Sequence, residues 1–521
     1  MDGIPFYGKL KEVNTSDLAA AVRLGCSTMQ SVFNADDDDI PFFSSEVRPR
    51  AELGFSAVHS ESHVPGRHLN ALLNAEDALG IELDESAVRK HAAAAYFSFS
   101  GALPVPLNRS RLDGPLDSFV THNLREGMHA LYALVAYRGE ERAHDLAEAC
   151  IAALLELWSP EQGWDRARCL ERGVDPSELT FIYGIPRMLG PLVKYYRVTG
   201  SGPALDLALR LCEPLLVDAF PDDGRYRPRV HGGHTHSTTC VMSSLAQLAE
   251  LTRDSALLLR VKAFYDHGLP AFSDWLGWVI ENSGPASPPD RGEVNNTGDI
   301  VETALILGRA GYPRYLEDAE RIVRCHMLPS QLRDVGFIAE PNADGADGRR
   351  NLAARHRGAF GFPAPYGHEP LGAERVSFNM DIVGGAVGSL CEVYRTATTR
   401  DRSGHRVNLL LDHETEAISV RTDVAGASLQ VELKRPGPLW IRIPSWADRS
   451  RTQVAGGRCA GDFLFLPQQP VGTPVTLSYE LPLREAVLAH RTRDIRVRLR
   501  GDSVVAMDNF GADLTFFDPI E

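Results

Sequence analysis

The sequence predicts a mainly α chain with a β domain: an (α/α)6 toroid followed by a C-terminal β-sandwich. Three observations predict it. A helix–turn–helix pattern recurs along most of the chain. Its turns fall on small residues that suit left-handed caps. Near residue 405 the apolar period changes from that of a helix to that of a strand.

The first helix of each pair closes near Gly80, Gly139, Gly200, Asp254, Gly311 and Thr398. The early spacing is roughly 55 to 60 residues, longer than the 34 to 47 of most open helical solenoids, so a closed ring of six pairs is the expected architecture. Residues 129–139, 192–200 and 245–254 show the first helix, and 141–158, 203–217 and 256–265 the second. The last interval is lengthened by 329–376, rich in Gly, Pro, Arg and His. Such a long loop in a compact domain is functional or mobile.

Strands are expected at 407–411, 418–421, 429–433, 439–443, 463–466, 475–479 and 495–499. They are short, close together and separated by Pro, Gly or Asp, as in a β-sandwich. The domains expected are an N-terminal segment, 1–50, packing on the β domain, the toroid at 51–402 and the sandwich at 403–521. The acidic run Asp36 to Asp39 reads as a solvated loop.

Composition narrows the function. The 521 residues are 44% hydrophobic and 24% charged, enough for a sizeable core. A net charge of −15 argues against nucleic acid or an anionic membrane as partner. The cysteines, at 26, 150, 169, 212, 240, 325, 391 and 459, include no Cys-x-x-Cys pair. They read as reduced, buried thiols, with neither a disulfide framework nor a metal site. No apolar leader and no membrane-length apolar run is visible, so the expectation is a cytoplasmic protein. A homodimer through the β domain is also expected.

The central funnel of a toroid is lined by inner-helix ends, so polar residues misplaced at such ends are the candidates. Four segments qualify. Residues 59–68 hold three histidines, a Glu and an Arg, among them His63. Residues 122–126 end in Glu126, and 231–237 contain His231, His234 and His236. The fourth joins Glu281 to the helix start Glu293-Val294-Asn295-Asn296-Thr297-Gly298-Asp299, with Asp381 at a later helix start. Helix capping by Thr297, Asp299 or Asp381 is the simplest alternative, yet capping does not need Glu281, Glu293 and Asn295 as well. Paired carboxyls in a sugar-sized cleft are what glycoside hydrolysis uses, one protonated and one ionised.

Residues 55–510 resemble the β-L-arabinofuranosidase family, glycoside hydrolase family 127. The resemblance is carried by Arg442-Ile443-Pro444-Ser445-Trp446, by Leu481-Pro482-Leu483-Arg484, by the strand 497–505 and by the helix ending at 192–200. His234 is similar to a sugar-binding His of that family. The family's zinc-binding and nucleophilic cysteines are absent: Glu293-Val294-Asn295 and Asp381-Ile382 stand in their places. The resemblance thus implies a metal-independent glycosidase with no cofactor, acting on a small carbohydrate, a β-L-arabinofuranoside first. Glu281 would be the acid/base, Asp381 the nucleophile or base, and Glu293 would tune them. His63, Glu126, His234, His236, Asn295 and Asp299 would bind substrate. A sugar epimerase, a polysaccharide lyase and a non-catalytic carbohydrate-binding relative are the alternative readings.

Overall fold

The computed structural model describes residues 8–11, 13, 15–341, 345–373, 375–423, 427–450, 452 and 454–521. Six inner helices form a ring: α2 (His63–Leu79), α4 (Asn123–Arg138), α7 (Leu189–Thr199), α10 (Thr235–Thr252), α12 (Val294–Arg309) and α15 (Met380–Ala397). Each packs on the next, and α15 packs on α2, which closes the toroid. Outside them lie α3 (Glu85–Ser98), α5 (Glu141–Leu157), α8 (Gly202–Asp218), α11 (Ser255–His267) and α13 (Arg314–Ile322). Three short helices, α6 (Arg166–Glu171), α9 (Pro228–His231) and α14 (Leu352–His356), sit in the connections.

The expected turns mark real helix ends. Gly80, Gly139 and Gly200 cap α2, α4 and α7 with φ of 63°, 65° and 72°, a conformation that costs a residue with a Cβ. Asp254 caps the N-terminus of α11, accepting from the amides of Ala256 and Leu257 at 2.9 and 3.0 Å.

The sixth outer position differs from expectation. After α15 the chain enters a strand, so no helix follows it. Its mate is α1 (Leu18–Met29), which packs on α15 and α2. A Cβ on Gly25 of α1 would stand 2.3 Å from a methyl of Val387. The N-terminal segment therefore completes the toroid through α1, which the sequence reading did not foresee; the contact it expected with residues 403–521 is made ahead of α1, where Leu10 N donates to Thr515 O at 2.8 Å and Ser16 Oγ to Asp412 at 3.0 Å. The apolar face of α1 (Leu18, Ala21, Val22, Met29) is buried in the toroid core.

The acidic run is a second correction. Asp37 is buried and receives Arg109 Nη1 and Nη2 at 3.0 and 2.6 Å, while Arg109 Nε donates to Glu61 at 2.6 Å. This chain of charges anchors the turn that delivers His63 to the start of α2.

The β region is split. Strands Ile418–Asp423, Ser428–Leu433 and Val475–Ser478 form one sheet with His413–Glu414. Leu439–Arg442, Phe463–Leu466, Gly404–Val407, Thr398–Asp401 and Arg458–Ala460 form the other. Their alternate residues (Val420, Val431, Ile441, Leu464) make a separate sandwich core. The last three strands, Leu483–Ala489, Asp494–Arg500 and Ser503–Met507, form a third sheet whose buried face (Ile495, Val497, Leu499) belongs to the toroid core. The expected sandwich thus ends before them. Arg442 joins sandwich to ring: it is buried, donates to Asn408 O at 2.6 Å and pairs with Glu320 of α13.

Helices α2 and α4 touch closely at the funnel end. A Cβ on Gly66 would fall 1.8 Å from the carbonyl oxygen of Glu126, a backbone atom that cannot swing aside. Gly66→Ala is therefore expected to cost roughly 3 kcal/mol, the upper range for overpacking. Chemical denaturation of the variant checks this; unchanged stability would mean that the two helices are not in this contact.

Candidate functional site

All six inner helices begin at the same end of the ring, where their N-terminal residues surround a cavity of about 270 Å³. Glu281, Glu293, Asp381, His63, His234 and His236 all line it. Asn295 stands beside Glu293, and Glu126 and Asp299 lie in the buried floor. The structure thus brings the expected residues together. His231 alone of the singled-out histidines at 231–236 stays apart: its Nδ1 accepts from Arg227 N at 3.1 Å and its Nε2 donates to Ala219 O at 3.2 Å, fixing a turn.

Asp381 lies in the first turn of α15 and is buried. His63 Nε2 is 3.2 Å from its Oδ2, and Arg67 Nε is 3.5 Å from the same oxygen. Burial opposes ionisation, but the His63 hydrogen bond and the Arg67 charge outweigh it and hold the carboxyl below its ordinary pKa. The helix N-terminus favours the same charge. His63 is itself fixed: Asn123 Nδ2 donates to Val58 O at 2.6 Å, which turns Asn123 Oδ1 to His63 Nδ1 at 2.9 Å.

Glu293, the residue before α12, is the opposite case. Burial, then the neighbouring charges of Glu281 and Asp381, push its pKa up to about 8. Asn295 Nδ2 donates to it at 2.9 Å, and His236 and His234 approach at 3.9 and 4.0 Å. Glu281 stands at the rim, about a third exposed, ion-paired to Arg291, whose guanidinium lies 3.8 Å over the Phe362 ring. Phe362 comes from the long loop 329–376, so that loop walls the site.

Below the cavity three arginines converge on Glu126. Arg125, Arg67 and Arg187 lie 2.9, 3.2 and 3.6 Å from its Oε1. Burial works against this carboxylate, yet His63 and the three arginines hold its pKa well below the ordinary value. Asp299 accepts from Thr239 at 2.9 Å and sits 3.5 Å from His236 Nε2; burial raises it to about 7, against the pull of Arg125. Neither Asp299 nor Thr297 caps α12: Thr297 donates to Gly277 O at 2.7 Å instead.

Sequence reasoning named Arg67 and His59 only as members of a polar segment, and passed over Arg187, Tyr183 and Phe43. These come from separate connections and helices. Only the ring's closure brings them to one wall, so no local pattern signals them. His59, His63 and His122 each offer a ring nitrogen within 4.8 Å of the other two, the one trio among the described residues that could hold a metal. Arg67 Nε already stands 3.1 Å from His63 Nε2, and the charge of Arg187 acts on both His59 and His122. A cation there would sit beside two guanidiniums. A thiolate zinc centre does not fit these residues either: Asn295, Asp381 and Ile382 carry no thiol, and seven of the eight cysteines are buried as free thiols.

Ring and site together define a closed α/α toroid with a carboxyl-bearing, histidine-walled funnel and an appended β-sandwich. No family model matches the sequence, and neither does any curated protein. Solved structures share the fold. A GH127 β-L-arabinofuranosidase from Geobacillus stearothermophilus T6 is 15% identical over 94% of this chain and 80% of its own, with a TM-score of 0.57. Another GH127 β-arabinofuranosidase is 12% identical over 94% and 81%, also at 0.57. A sugar epimerase from a ruminal bacterium is 12% identical over 72% and 99%, at 0.51. The architecture is thus that of the GH127 fold. No described helix is long and apolar enough to cross a membrane.

Proposed function

We propose that the protein is a glycoside hydrolase that cleaves a short glycoside with two carboxyls, Glu293 as general acid and Asp381 as nucleophile or base. The observation that carries this is the opposite surroundings of two carboxyls in one cavity: Glu293 is buried near the charge of Glu281, which pushes its pKa up to about 8, and Asp381 has His63 and Arg67 at 3.2 and 3.5 Å, which hold its pKa below the ordinary value. Such divergence is how one site supplies both acid and base at a single pH. Glu293 gives its proton to the leaving oxygen as the glycosidic bond breaks. Asp381, or a water it deprotonates, bonds to the anomeric carbon; where Asp381 itself bonds, a water deprotonated by Glu293 then displaces the carboxylate, freeing the sugar and returning the proton to Glu293. Glu281, engaged with Arg291, raises the Glu293 pKa; its role and that of Glu293 are exchanged relative to the sequence reading. Neutral His234, with a pKa lowered by burial to about 3, accepts or donates to sugar hydroxyls. The reaction as written uses no metal, and a cytoplasmic enzyme would meet short imported glycosides.

A turnover screen over aryl and alkyl furanosides and pyranosides, with and without a chelator, tests this. Release of the aglycone, insensitive to chelator, is expected from at least one member, with β-L-arabinofuranoside the first to try. Chelator-sensitive turnover would overturn the mechanism. A product of unchanged mass and altered configuration would point to the epimerase reading.

A further inference from the structure

We infer that the sugar bound in this funnel carries a carboxylate, and that Arg187 receives it. The inference deepens the hydrolase reading and rests on it only for the ligand being a sugar. Three buried guanidiniums share Glu126. Arg67 has a second acid in Asp381, at 3.5 Å, and Arg125 has one in Asp299, at 3.8 Å. Arg187 is the one of the three that lines the cavity with no second carboxyl in contact among the described residues: its Nη2 lies 3.2 Å from His236 Nδ1, and burial followed by Arg67 and Arg187 keeps that histidine neutral. Among the described residues its Nε has no hydrogen-bond partner, its side chain is 2% exposed, and it lines the cavity. A full positive charge is thus buried at the substrate wall with a third share of one carboxylate, at 3.6 Å.

Burying an under-paired charge is costly, and a fold keeps one where a ligand completes it. The nearby groups do not complete it. Asp381 is engaged by His63 and Arg67. Glu293 and Asp299 hold their protons to about pH 8 and 7. His59, His122 and His234 are kept neutral by burial and offer hydrogen bonds, not counter-charge. The six helix N-termini around the cavity add partial positive charge of the same sign. A sugar with hydroxyls alone leaves Arg187 as it stands. A sugar acid supplies the charge and a planar pair of acceptors that a guanidinium fits.

Titration calorimetry on the full-length protein decides it, with sodium D-glucuronate, D-galacturonate, D-glucose, D-galactose and L-arabinose as probes. At least one acid is expected to bind tenfold or more tighter than its neutral counterpart, and added sodium chloride should weaken the acid alone. Arg187→Gln should abolish the preference, and Arg187→Lys should retain part of it. Circular dichroism checks folding; if Arg187→Gln does not fold, the salt dependence of the wild type decides. Equal affinity for acid and neutral sugars, no acid binding at millimolar concentration, or an undiminished preference in folded Arg187→Gln overturns the inference. Binding of acids without turnover of any glycoside would sink the hydrolase reading and leave this one standing. Turnover of neutral glycosides with no preference for acids would do the reverse.

Discussion

Glu293→Gln is expected to lower kcat/KM by about 10²–10⁴-fold on glycosides with alkyl or sugar leaving groups, the range for loss of a general acid. The loss should shrink on aryl glycosides, whose leaving oxygens need less help from a proton. The wild-type rate should fall as pH rises through about 8, where Glu293 ionises, and this alkaline limb should vanish from the residual activity of the variant. Stability should depend on the same proton. The folded Glu293 carboxyl keeps its proton up to about 8, whereas an ordinary glutamic acid loses it near 4.5. Between those values the folded state binds the extra proton, so the stability this group contributes is complete below about 4.5 and drains as pH rises to about 8. Glutamine has no proton to lose, so at pH 8 the variant should melt higher than the wild type. Thermal melts at pH 5 and 8 check this; equal melting at both would place Glu293 in a solvated, ordinary environment.

Asp381→Asn is expected to abolish turnover more evenly, by about 10³-fold or more on alkyl and aryl substrates alike, because the anomeric carbon must be attacked whatever leaves it. The amide still fits beside His63 and Arg67, so the fold should persist. Comparing both variants on one alkyl and one aryl glycoside separates the roles. A leaving-group effect confined to Glu293→Gln supports the assignment. The same effect in Asp381→Asn would reverse it, and full activity in folded Asp381→Asn would remove Asp381 from the chemistry.

Much of this was legible in the sequence because it is local. A glycine at φ near 65° announces itself after an amphipathic run, and so Gly80, Gly139 and Gly200 marked helix ends correctly. The strands at 418–421, 429–433, 439–443 and 475–479 were equally visible, since alternation survives without knowledge of neighbours. What could not be read was pairing between distant segments. Asp37 looked like one of four solvated acids until Arg109 was placed against it. The strand at 495–499 has the same alternation whether it faces the sandwich or the toroid, and it faces the toroid. At the site, the polar residues at helix starts were conspicuous, but the protonation that distinguishes Glu293 from Asp381 depends on what surrounds each. Glu281 beside one, and His63 with Arg67 beside the other, are facts of packing.

The docking of α1 on α15 bears on how the chain is made. During synthesis α1 emerges before the inner helices, and its partner Met380–Ala397 emerges only after the five others. Until then the apolar stripe of Leu18, Ala21, Val22 and Met29 has α2 beside it but lacks α15, its main partner in the ring. The nascent ring stays open at this seam, and an open seam is where chaperones bind and where misassembly between neighbouring chains begins. Completion is therefore set by the last inner helix to leave the ribosome, and the funnel, whose wall includes Asp381 of that helix, cannot be assembled before it.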